Sequence, residues 1–315
     1  MKNITVFYTI LFLVLGSAYS NAQDFAKVDA TVKDYPASFA SAEKFAAKVK
    51  ADFTRDDEKA RAIFTWIALN IRYDHSPAAK GRNPIKFSYR TPAERTAAIA
   101  KIENELANTT LKLKRGVCHG YAMLYAVVAK KAGLQCEVVY GNAKSVPADI
   151  GKAPTKSNHA WNAVKVNNQW KLLDVTWGAG GIAGNSINYD DKYFFTSPDL
   201  FFKNHFPDDK KWLLTNKNAL EFASLPLYYN LKYELVAPTG GTVKKSAGNI
   251  PIKIKGLKAG DEVVYQFTSA AYSKKATPKF TSGLAEFTVP IDSAAAGNLT
   301  IFINKVAVAA YKIAN

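Results

Sequence analysis

Apolar residues recur at helical spacing in the first half of the chain. Between residues 54 and 71 they fall three and four positions apart, which predicts an amphipathic helix with one buried face. Between 118 and 132 apolar residues predominate, and Gly133 follows as a natural stop, so this helix is expected to be central. The remaining predictions for this half are helices within 25–53 and over 93–107, and a Pro- and Gly-containing loop at 75–92.

The pattern changes to strand-like runs beyond residue 135. β-Branched and aromatic residues are concentrated in three segments, 136–140, 159–166 and 170–177. Asn167 and Asn168 separate the last two segments, and such a pair favours the two-residue turn of a β-hairpin. The intervening predictions are loops at 142–158 and 178–184 and an aromatic-rich, irregular stretch at 189–235.

Short Val, Ile, Phe and Tyr runs alternate with turn signals from residue 233 to the end. This spacing is typical of a small antiparallel β-sandwich of about 80 residues. A chain of 315 residues also exceeds the usual size of one domain, which is about 100–200 residues. We therefore predict an α+β domain over 23–230 and an immunoglobulin-like β-sandwich over 231–315.

The first 22 residues have the layout of a signal peptide. Lys2 precedes an apolar run from Ile4 to Leu15, and the small residues that follow suit cleavage after Ser20 or Ala22. The alternative is an uncleaved anchor, but this run is shorter than the roughly 20 residues that a membrane span needs. No later run is apolar enough to span a membrane. The mature protein is therefore expected to be soluble and to be secreted or periplasmic.

Composition and charge narrow the function classes only a little. Hydrophobic residues make up 48% and charged residues 22% of the chain, as in ordinary globular proteins, which argues against a disordered or fibrous chain. The formal net charge of +16 comes from 42 Lys and Arg against 26 Asp and Glu, spread along the sequence. Such a surface is usually simply solvated, but it also permits an anionic partner such as a cell-wall polymer or an acidic lipid surface. No motif for nucleic-acid binding accompanies it.

The two cysteines are predicted to be free thiols. Cys118 opens the central helix, and at about 1.5 Å per helical residue Cys136 lies on the order of 20 Å away. A disulfide needs Cα atoms within about 7 Å, so the pairing that is common in exported proteins is not expected here. One thiol is then buried and structural, and the other is reactive.

Cys118, His159 and Asp174 occur in the order and context that thiol catalysis requires. A helix N-terminus favours a thiolate, Gly116 permits a tight approach, Gly120 leaves the backbone open toward a substrate, and the N–H of Cys118 is a candidate oxyanion donor. Each member alone has an ordinary explanation: a core cysteine, a satisfied structural histidine or an acid at a strand end. Their joint arrangement indicates a nucleophile, a base and a residue that orients the base, in that order.

The predicted hairpin specifies how His159 and Asp174 meet. With the Asn-Asn pair as the turn, His159 faces Thr176 and Asp174 faces Trp161, so that the base and the acid lie on one face as diagonal neighbours, about 7–8 Å apart in the backbone. Nδ1–H of His159 would then reach the carboxylate. A slip of one residue would place the two side chains on opposite faces.

Three sequence blocks resemble the signature of the transglutaminase-like superfamily. They are Arg115–Ala122 (RGVCHGYA), Asn158–Val164 (NHAWNAV) and Trp170–Trp177 (WKLLDVTW), and the lead-in Trp66–Asp74 resembles that of the bacterial and kyphoscoliosis-peptidase-like branch. The resemblance covers roughly residues 50–215. It implies a papain-like α+β fold in which the nucleophile helix packs on an antiparallel sheet that carries the histidine and the aspartate.

The same resemblance implies that substrate acylates Cys118, that His159 is the general base and that Asp174 orients it. It does not specify the reaction, because members similar in fold include cross-linking enzymes, peptidases, amidases and members with no demonstrated activity. The family's oxyanion-binding side chain upstream of the nucleophile is not placed in this sequence. No acidic cluster with calcium-loop spacing occurs, so calcium dependence is not expected.

Three aromatic residues near the candidate triad are open to two interpretations. Trp161, Trp177 and Tyr121 either bind substrate in a groove or belong to the core. The remaining histidines are expected to have no role in the chemistry. His119 has no partners at zinc-ligand spacing, so we expect no metal or other cofactor, and His75 and His205 lie in loop-like segments that suit ordinary surface residues.

The sequence thus favours a thiol acyl-transfer enzyme that acts on peptide or amide bonds of a peptide or protein substrate. Hydrolysis, as in a cysteine protease or amidase, is favoured over protein cross-linking because water is the default acceptor. One alternative is a non-catalytic binding or surface-interaction protein that retains the fold and works through its β-sandwich. Another is a cross-linking transglutaminase.

Overall fold

The computed structural model of the protein describes residues 25–76, 88–180, 189–291 and 295–315. The predicted signal peptide lies outside these residues, as does the central part of the loop expected at 75–92. Within the described residues, no helix is both long and apolar enough to cross a membrane.

The α-helices of the described residues precede the main sheet or lie between its strands, except for the last, which follows it. They are α1 (Ala26–Lys33), α2 (Ala42–Asp52), α3 (Asp56–Asn70), α4 (Pro92–Leu113), α5 (Cys118–Lys131), α6 (Val175–Gly178), α7 (Pro198–Phe201) and α8 (Ala219–Ser224). Single 3-10 turns cover Pro147–Asp149, Asp191–Tyr193, Lys210–Trp212 and Lys245–Ala247.

The strands divide between the two halves of the chain. Those of the first half are β1 (Arg72–Tyr73), β2 (Arg115–Gly116), β3 (Gln135–Ala143), β4 (His159–Val166), β5 (Gln169–Leu173), β6 (Phe194–Thr196) and β7 (His205–Pro207). Those of the second half are β8 (Leu227–Tyr228), β9 (Glu234–Ala237), β10 (Thr242–Lys244), β11 (Asn249–Lys255), β12 (Val263–Phe267), β13 (Lys274–Ala276), β14 (Lys279–Thr281), β15 (Leu284–Pro290), β16 (Asn298–Ile303) and β17 (Val306–Ala314).

Local capping determines where the long helices begin and end. The Ser41 side chain accepts the Lys44 N–H at the start of α2, and Thr91 does the same for Glu94 at the start of α4. Helix α4 runs past the predicted end at 107, because no Gly or Pro interrupts the next turns, and it stops where Lys114 adopts a left-handed conformation.

Helix α5 packs on an antiparallel five-stranded sheet with the order β6-β5-β4-β3-β7, as expected for the nucleophile helix. The α5 side chains from Gly120 to Ala129 are all buried, which explains why the helix shows almost no polar face. A buried amide joins the two layers, because Nδ2 of Asn162 on β4 donates to the Ala122 carbonyl of α5 at 2.9 Å. The expectation of a helix packed on an antiparallel sheet is confirmed.

The hairpin between β4 and β5 has the predicted register. Asn167 and Asn168 both have positive φ, 50° and 61°, and Asn162 pairs with Leu173. Strand β5 ends at Leu173, however, and not at 177. The Asp174 side chain accepts the Trp177 N–H at 3.1 Å and starts the short helix α6, so the chain leaves the ladder one residue after the last pair.

The C-terminal region is rich in sheet, as expected. One sheet has the order β10-β17-β16-β12-β13, with β8 also paired to β17, and the other has the order β14-β15-β11-β9. Along β11 the buried residues Ile250, Ile252 and Ile254 alternate with more exposed ones, so this strand has one core face, and that core includes side chains from both sheets. The boundary between residues 230 and 231 stays a prediction. Leu227 and Tyr228, just before it, already pair with β17.

Strands β3 and β7 approach each other closely at Gly141. A Cβ atom built at Gly141 would lie 2.3 Å from the Phe206 carbonyl oxygen, 2.6 Å from Cη2 of Trp161 and 2.7 Å from Cα of Pro207. The first and last of these neighbours are backbone atoms, which cannot rotate away. Glycine is therefore required for β7 to pair at this position.

We expect Gly141→Ala to lower the free energy of unfolding by roughly 1–3 kcal/mol, because β7 must move away from β3. Chemical denaturation, fitted with one m-value for wild type and variants, measures this change. Gly240→Ala is the matched control, since a Cβ there has nothing within 4 Å, and it should leave stability within about 0.5 kcal/mol. Equal stability of the two variants would contradict the close approach.

Candidate active site

Cys118 is the first residue of α5, and the chain just before it forms the short strand β2. Strand β2 pairs in parallel with β1, so that Tyr73 lies opposite Gly116. The thiol is partly exposed and free, whereas Cys136 is free and 1% exposed. The expectation of two free thiols, one of them buried, is confirmed. The N–H groups of the first turn of α5 have no acceptor within the helix and face the region of the sulfur.

The glycines around Cys118 have a packing role that the sequence did not indicate. A Cβ at Gly120 would lie 2.8 Å from Oγ1 of Thr110 on α4, and one at Gly116 would lie 3.2 Å from Cγ2 of the same residue. Gly120 is also buried. Gly120 therefore lets α4 lie against the start of α5, and the idea that it opens the backbone toward a substrate is corrected.

His159 and Asp174 meet directly in the structure. Nε2 of His159 lies 2.6 Å from Oδ2 of Asp174, and both side chains are buried. The sequence predicted a contact through Nδ1 across a continuing ladder. Because Asp174 leaves the ladder to start α6, the contact forms through Nε2, and Thr176 lies in the helix and not opposite His159.

Cys118 also acts on His159, since its side chain contributes to the raised pKa of the imidazole. Since Nε2 is occupied by Asp174, Nδ1 is the ring nitrogen left for the sulfur. The structure therefore brings His159 and Asp174 into direct contact, and the Cys118 side chain lies near enough to influence the imidazole.

His205 also binds the Asp174 carboxylate, contrary to expectation. It is 1% exposed, not a surface residue, and its Nε2 lies 3.0 Å from Oδ2 of Asp174, the oxygen that His159 uses. Its ring stacks on Phe201 with centroids 4.1 Å apart, and the rings of Trp161 and Trp177 lie at 5.0 and 4.7 Å.

Sequence patterning missed His205 because strand β7 has only three residues and is flanked by polar ones. The segment from Lys203 to Lys210 has the polar composition of a turn. The cue available in the sequence was the aromatic composition on either side of it, which indicates burial.

The protonation of the two histidines is set by burial and by the shared carboxylate. Burial alone lowers the pKa of His159, but the Asp174 charge and hydrogen bond, together with Cys118, outweigh it and raise the pKa above its ordinary value. Burial lowers the pKa of His205, and the contacts with Asp174 offset this only in part. Burial opposes ionisation of Asp174 as well, yet the two histidines hold the pKa of that carboxyl well below its usual range.

These directions describe a carboxylate that stays charged, an imidazolium at His159 and a neutral imidazole at His205. The neutral ring donates from Nε2. Its Nδ1 has no hydrogen bond of normal geometry among the described residues.

Two tyrosines flank the thiol. Burial raises the pKa of Tyr73, and the charges of Cys118 and Asp174 raise it further, which places its phenol near both groups. On the other side, the Tyr140 hydroxyl hydrogen-bonds to Nε2 of His119 at 3.0 Å. Tyr73 lies in the lead-in block that the sequence singled out, but nothing in that block indicated a role for it.

The predicted substrate-binding aromatics are mostly core residues. Tyr121 is 1% exposed, and its hydroxyl donates to the Ile71 carbonyl at 2.6 Å. Trp161 is also 1% exposed and packs against His205. The interpretation of these two as groove residues is corrected, since a substrate cannot contact buried rings. Trp177 is half-buried, and its ring lies 5.7 Å from that of His159, so it stays a candidate.

A cavity of about 210 Å³ adjoins the start of α5. Its lining combines Asp74, which follows β1, with residues of α4 and residues on either side of Cys118, among them Thr110, Arg115, Val117 and His119. The Arg115 Nε atom lies 3.8 Å from Oδ2 of Asp74 at its rim. The cavity therefore offers both charged and apolar surface next to the thiol.

The nitrogen and oxygen atoms of His159, Asp174 and His205 lie within 4.8 Å of one another, a spacing that metal sites also show. In this structure both nitrogens contact the same carboxylate oxygen at 2.6 and 3.0 Å, which are hydrogen-bond distances. The donors are thus already paired with one another, and the arrangement is that of a hydrogen-bonded network.

Comparison with known proteins agrees with the geometry. Residues 42–175 match the family model described as the transglutaminase-like superfamily. The chain is 31% identical over 206 residues to kyphoscoliosis peptidase of Homo sapiens, which is 64% of this chain and 28% of that protein. It is 34% identical over 165 residues to kyphoscoliosis peptidase of Mus musculus, which is 50% of this chain and 22% of that protein.

The chain therefore spans less than a third of the length of these two relatives. Among solved structures, a red sea bream transglutaminase matches with 11% identity and a TM-score of 0.27, over 82% of this chain and 54% of that one. The resemblance drawn from the sequence blocks is confirmed at the level of the superfamily. The residues that match this family model include Cys118, His159 and Asp174.

Proposed function

We propose that the protein is a thiol acyl-transfer enzyme that cleaves peptide or amide bonds, with Cys118 as nucleophile, His159 as general acid and base, and Asp174 as the residue that orients His159. The observation that carries this proposal is the contact of His159 with the buried Asp174 carboxylate, near a cysteine at the start of a central helix whose side chain helps to raise the His159 pKa. Thiol catalysis needs a nucleophile, a base and a residue that orients the base.

The proposed reaction has two halves. The Cys118 sulfur attacks the substrate carbonyl, and the tetrahedral oxyanion forms beside the N–H groups at the start of α5, where the helix dipole favours negative charge. His159 then gives its proton to the leaving amine, and a thioester forms on Cys118. In the second half His159 takes a proton from water as the water oxygen attacks the thioester. The C–S bond then breaks and the acid leaves, so that His159 and Cys118 again share one proton.

Tyr73 is a candidate for the second oxyanion donor in this scheme. Its phenol lies in the field of both Cys118 and Asp174, and its raised pKa keeps the O–H protonated. The cavity at the rim of α5 is a candidate site for the substrate residue beside the cleaved bond. Arg115 and Asp74 at that rim suit a polar side chain.

Hydrolysis is the form of the reaction that we favour. Two of the relatives that the chain matches are named kyphoscoliosis peptidase, although the chain covers less than a third of each. We further propose that the protein is exported by its leader and that its substrate is a peptide or protein. The cationic surface, with a formal charge of +16, permits an additional anionic polymer as partner.

The two free thiols allow a direct test of which cysteine is reactive. We expect iodoacetamide at neutral pH to modify Cys118 at least tenfold faster than Cys136, because burial shields Cys136 and raises its pKa. Peptide mapping by mass spectrometry measures both rates, and Cys136→Ser is the control for assignment. Equally slow labelling of both thiols would favour a non-catalytic binding protein.

Turnover should depend on Cys118. Incubation of the mature protein with mixed peptide and amide substrates, with and without a primary amine, should give products that carry one added water and that disappear in Cys118→Ala. Mass spectrometry distinguishes this outcome from an amine adduct, which would indicate cross-linking. Products that persist in Cys118→Ala would exclude the proposed nucleophile.

The histidine charge states also predict a stability optimum. Both histidines titrate near pH 6.5 in the unfolded chain. Above this pH the folded protein keeps a proton on His159 that the unfolded chain has lost, so stability falls as pH rises toward the raised pKa. Below it the unfolded chain gains a proton at His205 that the folded protein refuses, so stability falls again as pH drops.

On each side of the optimum, one proton should change the free energy of unfolding by about 1.4 kcal/mol per pH unit. Denaturation of wild type, His159→Gln and His205→Gln between pH 5 and 9 measures both changes, and the difference from wild type cancels the titration of groups elsewhere. His159→Gln should lose the fall in stability at alkaline pH, and His205→Gln should lose the fall in stability at acid pH. An unchanged alkaline slope in His159→Gln would refute the assigned charge.

A further inference from the structure

The position of His205 suggests a role beyond filling the core. A buried imidazole is an unfavourable filler, because both ring nitrogens lose water, and here Nδ1 gains no hydrogen bond of normal geometry among the described residues. An aromatic hydrocarbon would fit the same surroundings of Phe201, Trp161 and Trp177 without that cost. The side-chain hydrogen bond of His205 goes to the carboxylate of the proposed triad, and the backbone of Phe201 also acts on the ring.

The Asp174 carboxylate is enclosed by its donors. Oδ1 accepts the Trp177 N–H at 3.1 Å, and Oδ2 accepts from His159 at 2.6 Å and from His205 at 3.0 Å. The group is fully buried, so its charge depends on these hydrogen bonds. His159 would otherwise be the only side-chain donor on Oδ2 among these contacts, and it must release and regain a proton during turnover.

We propose that His205 is a positioning residue of the active site, whose Nε2–H holds Oδ2 of Asp174 in place and shares its negative charge with His159. This inference rests on the proposed function and adds a fourth residue to it. His205 touches neither the sulfur nor any accessible surface, so it acts only through Asp174.

The consequence concerns how tightly His159 holds its proton. A second donor on the same oxygen withdraws charge from the His159–Asp174 bond. Without that donor, the carboxylate has only the imidazolium to neutralise it on that side, which favours the charged form of His159. His205 thus keeps the base able to lose its proton while Asp174 stays oriented.

The tyrosines beside this pair stay protonated and do not replace the donor. Tyr193 lies near Asp174, and burial raises the pKa of its phenol. Tyr73 is in the same state on the side of Cys118. His205 itself is kept neutral by burial, so it offers a hydrogen bond without adding a positive charge that would repel His159.

Two substitutions separate the hydrogen bond from the ring. His205→Phe keeps an aromatic ring on Phe201 but removes the donor, whereas His205→Gln keeps an N–H near the Nε2 position. Phe222→Leu is the matched control for loss of packing, since Phe222 is 2% exposed in a neighbouring cluster that does not touch Asp174. Circular dichroism and denaturation verify that each variant folds.

The test is nitrogen NMR of the protein labelled at histidine, titrated from neutral to alkaline pH. The chain has four histidines, so single substitutions assign every signal. We expect the pKa of His159 to rise by about one unit in His205→Phe, a tenfold change in proton affinity. It should stay within a few tenths of a unit of wild type in His205→Gln and in Phe222→Leu.

An unchanged or lowered His159 pKa in His205→Phe would overturn the proposal, and so would an equal shift in all three variants. Because NMR needs no substrate, this result is independent of whether turnover is found. If turnover is found, His205→Phe should lower kcat at least tenfold and leave KM nearly unchanged, because His205 is too buried to contact substrate. A change confined to KM would contradict a positioning role.

Discussion

The site depends on one buried carboxylate. A fully buried Asp174 is costly unless every lone pair finds a donor, and the fold supplies three: a backbone N–H of the helix that Asp174 itself starts, and two imidazoles from β4 and β7. These donors come from segments far apart in sequence, so the carboxylate can be satisfied only when the sheet, the hairpin and strand β7 are all assembled. The chemistry of the site and the assembly of the sheet are therefore linked.

The surrounding structure serves this constraint at several points. Gly141 allows β7 to approach β3 closely enough to bring His205 to the carboxylate, and the left-handed turn at Asn167 and Asn168 sets the register that delivers Asp174 to the end of β5. On the other side, Thr110 of α4 packs against Gly120 at the start of α5 and so supports the helix that presents Cys118. Each of these local features helps to position a residue of the candidate site.

Much of this architecture could be predicted from the sequence. Helical spacing indicated α3 and α5, strand-like composition and the Asn-Asn pair indicated the β4–β5 hairpin with its register, and three sequence blocks indicated the family. What patterning missed depends on tertiary contacts. Strand β7 is too short to show a period, so His205 looked like a surface residue. The sequence also left Trp161 and Tyr121 open between a groove and the core, and only tertiary packing places them in the core. The end of β5 was missed because a side-chain cap at Asp174 overrode the strand propensity of the following residues.

The central claim is that the carboxylate activates the thiol through His159, and acylation by a small activated ester tests it without knowledge of the natural substrate. Wild type and Asp174→Asn are mixed with p-nitrophenyl acetate, and acetyl transfer to Cys118 is followed by rapid quenching and intact mass spectrometry. We predict that one acetyl group appears on Cys118 of wild type and that its rate falls by at least a hundredfold in Asp174→Asn. Acetylation of Cys118 at the same rate in both proteins would show that the thiol reacts without help from the buried carboxylate, and would contradict the proposed mechanism.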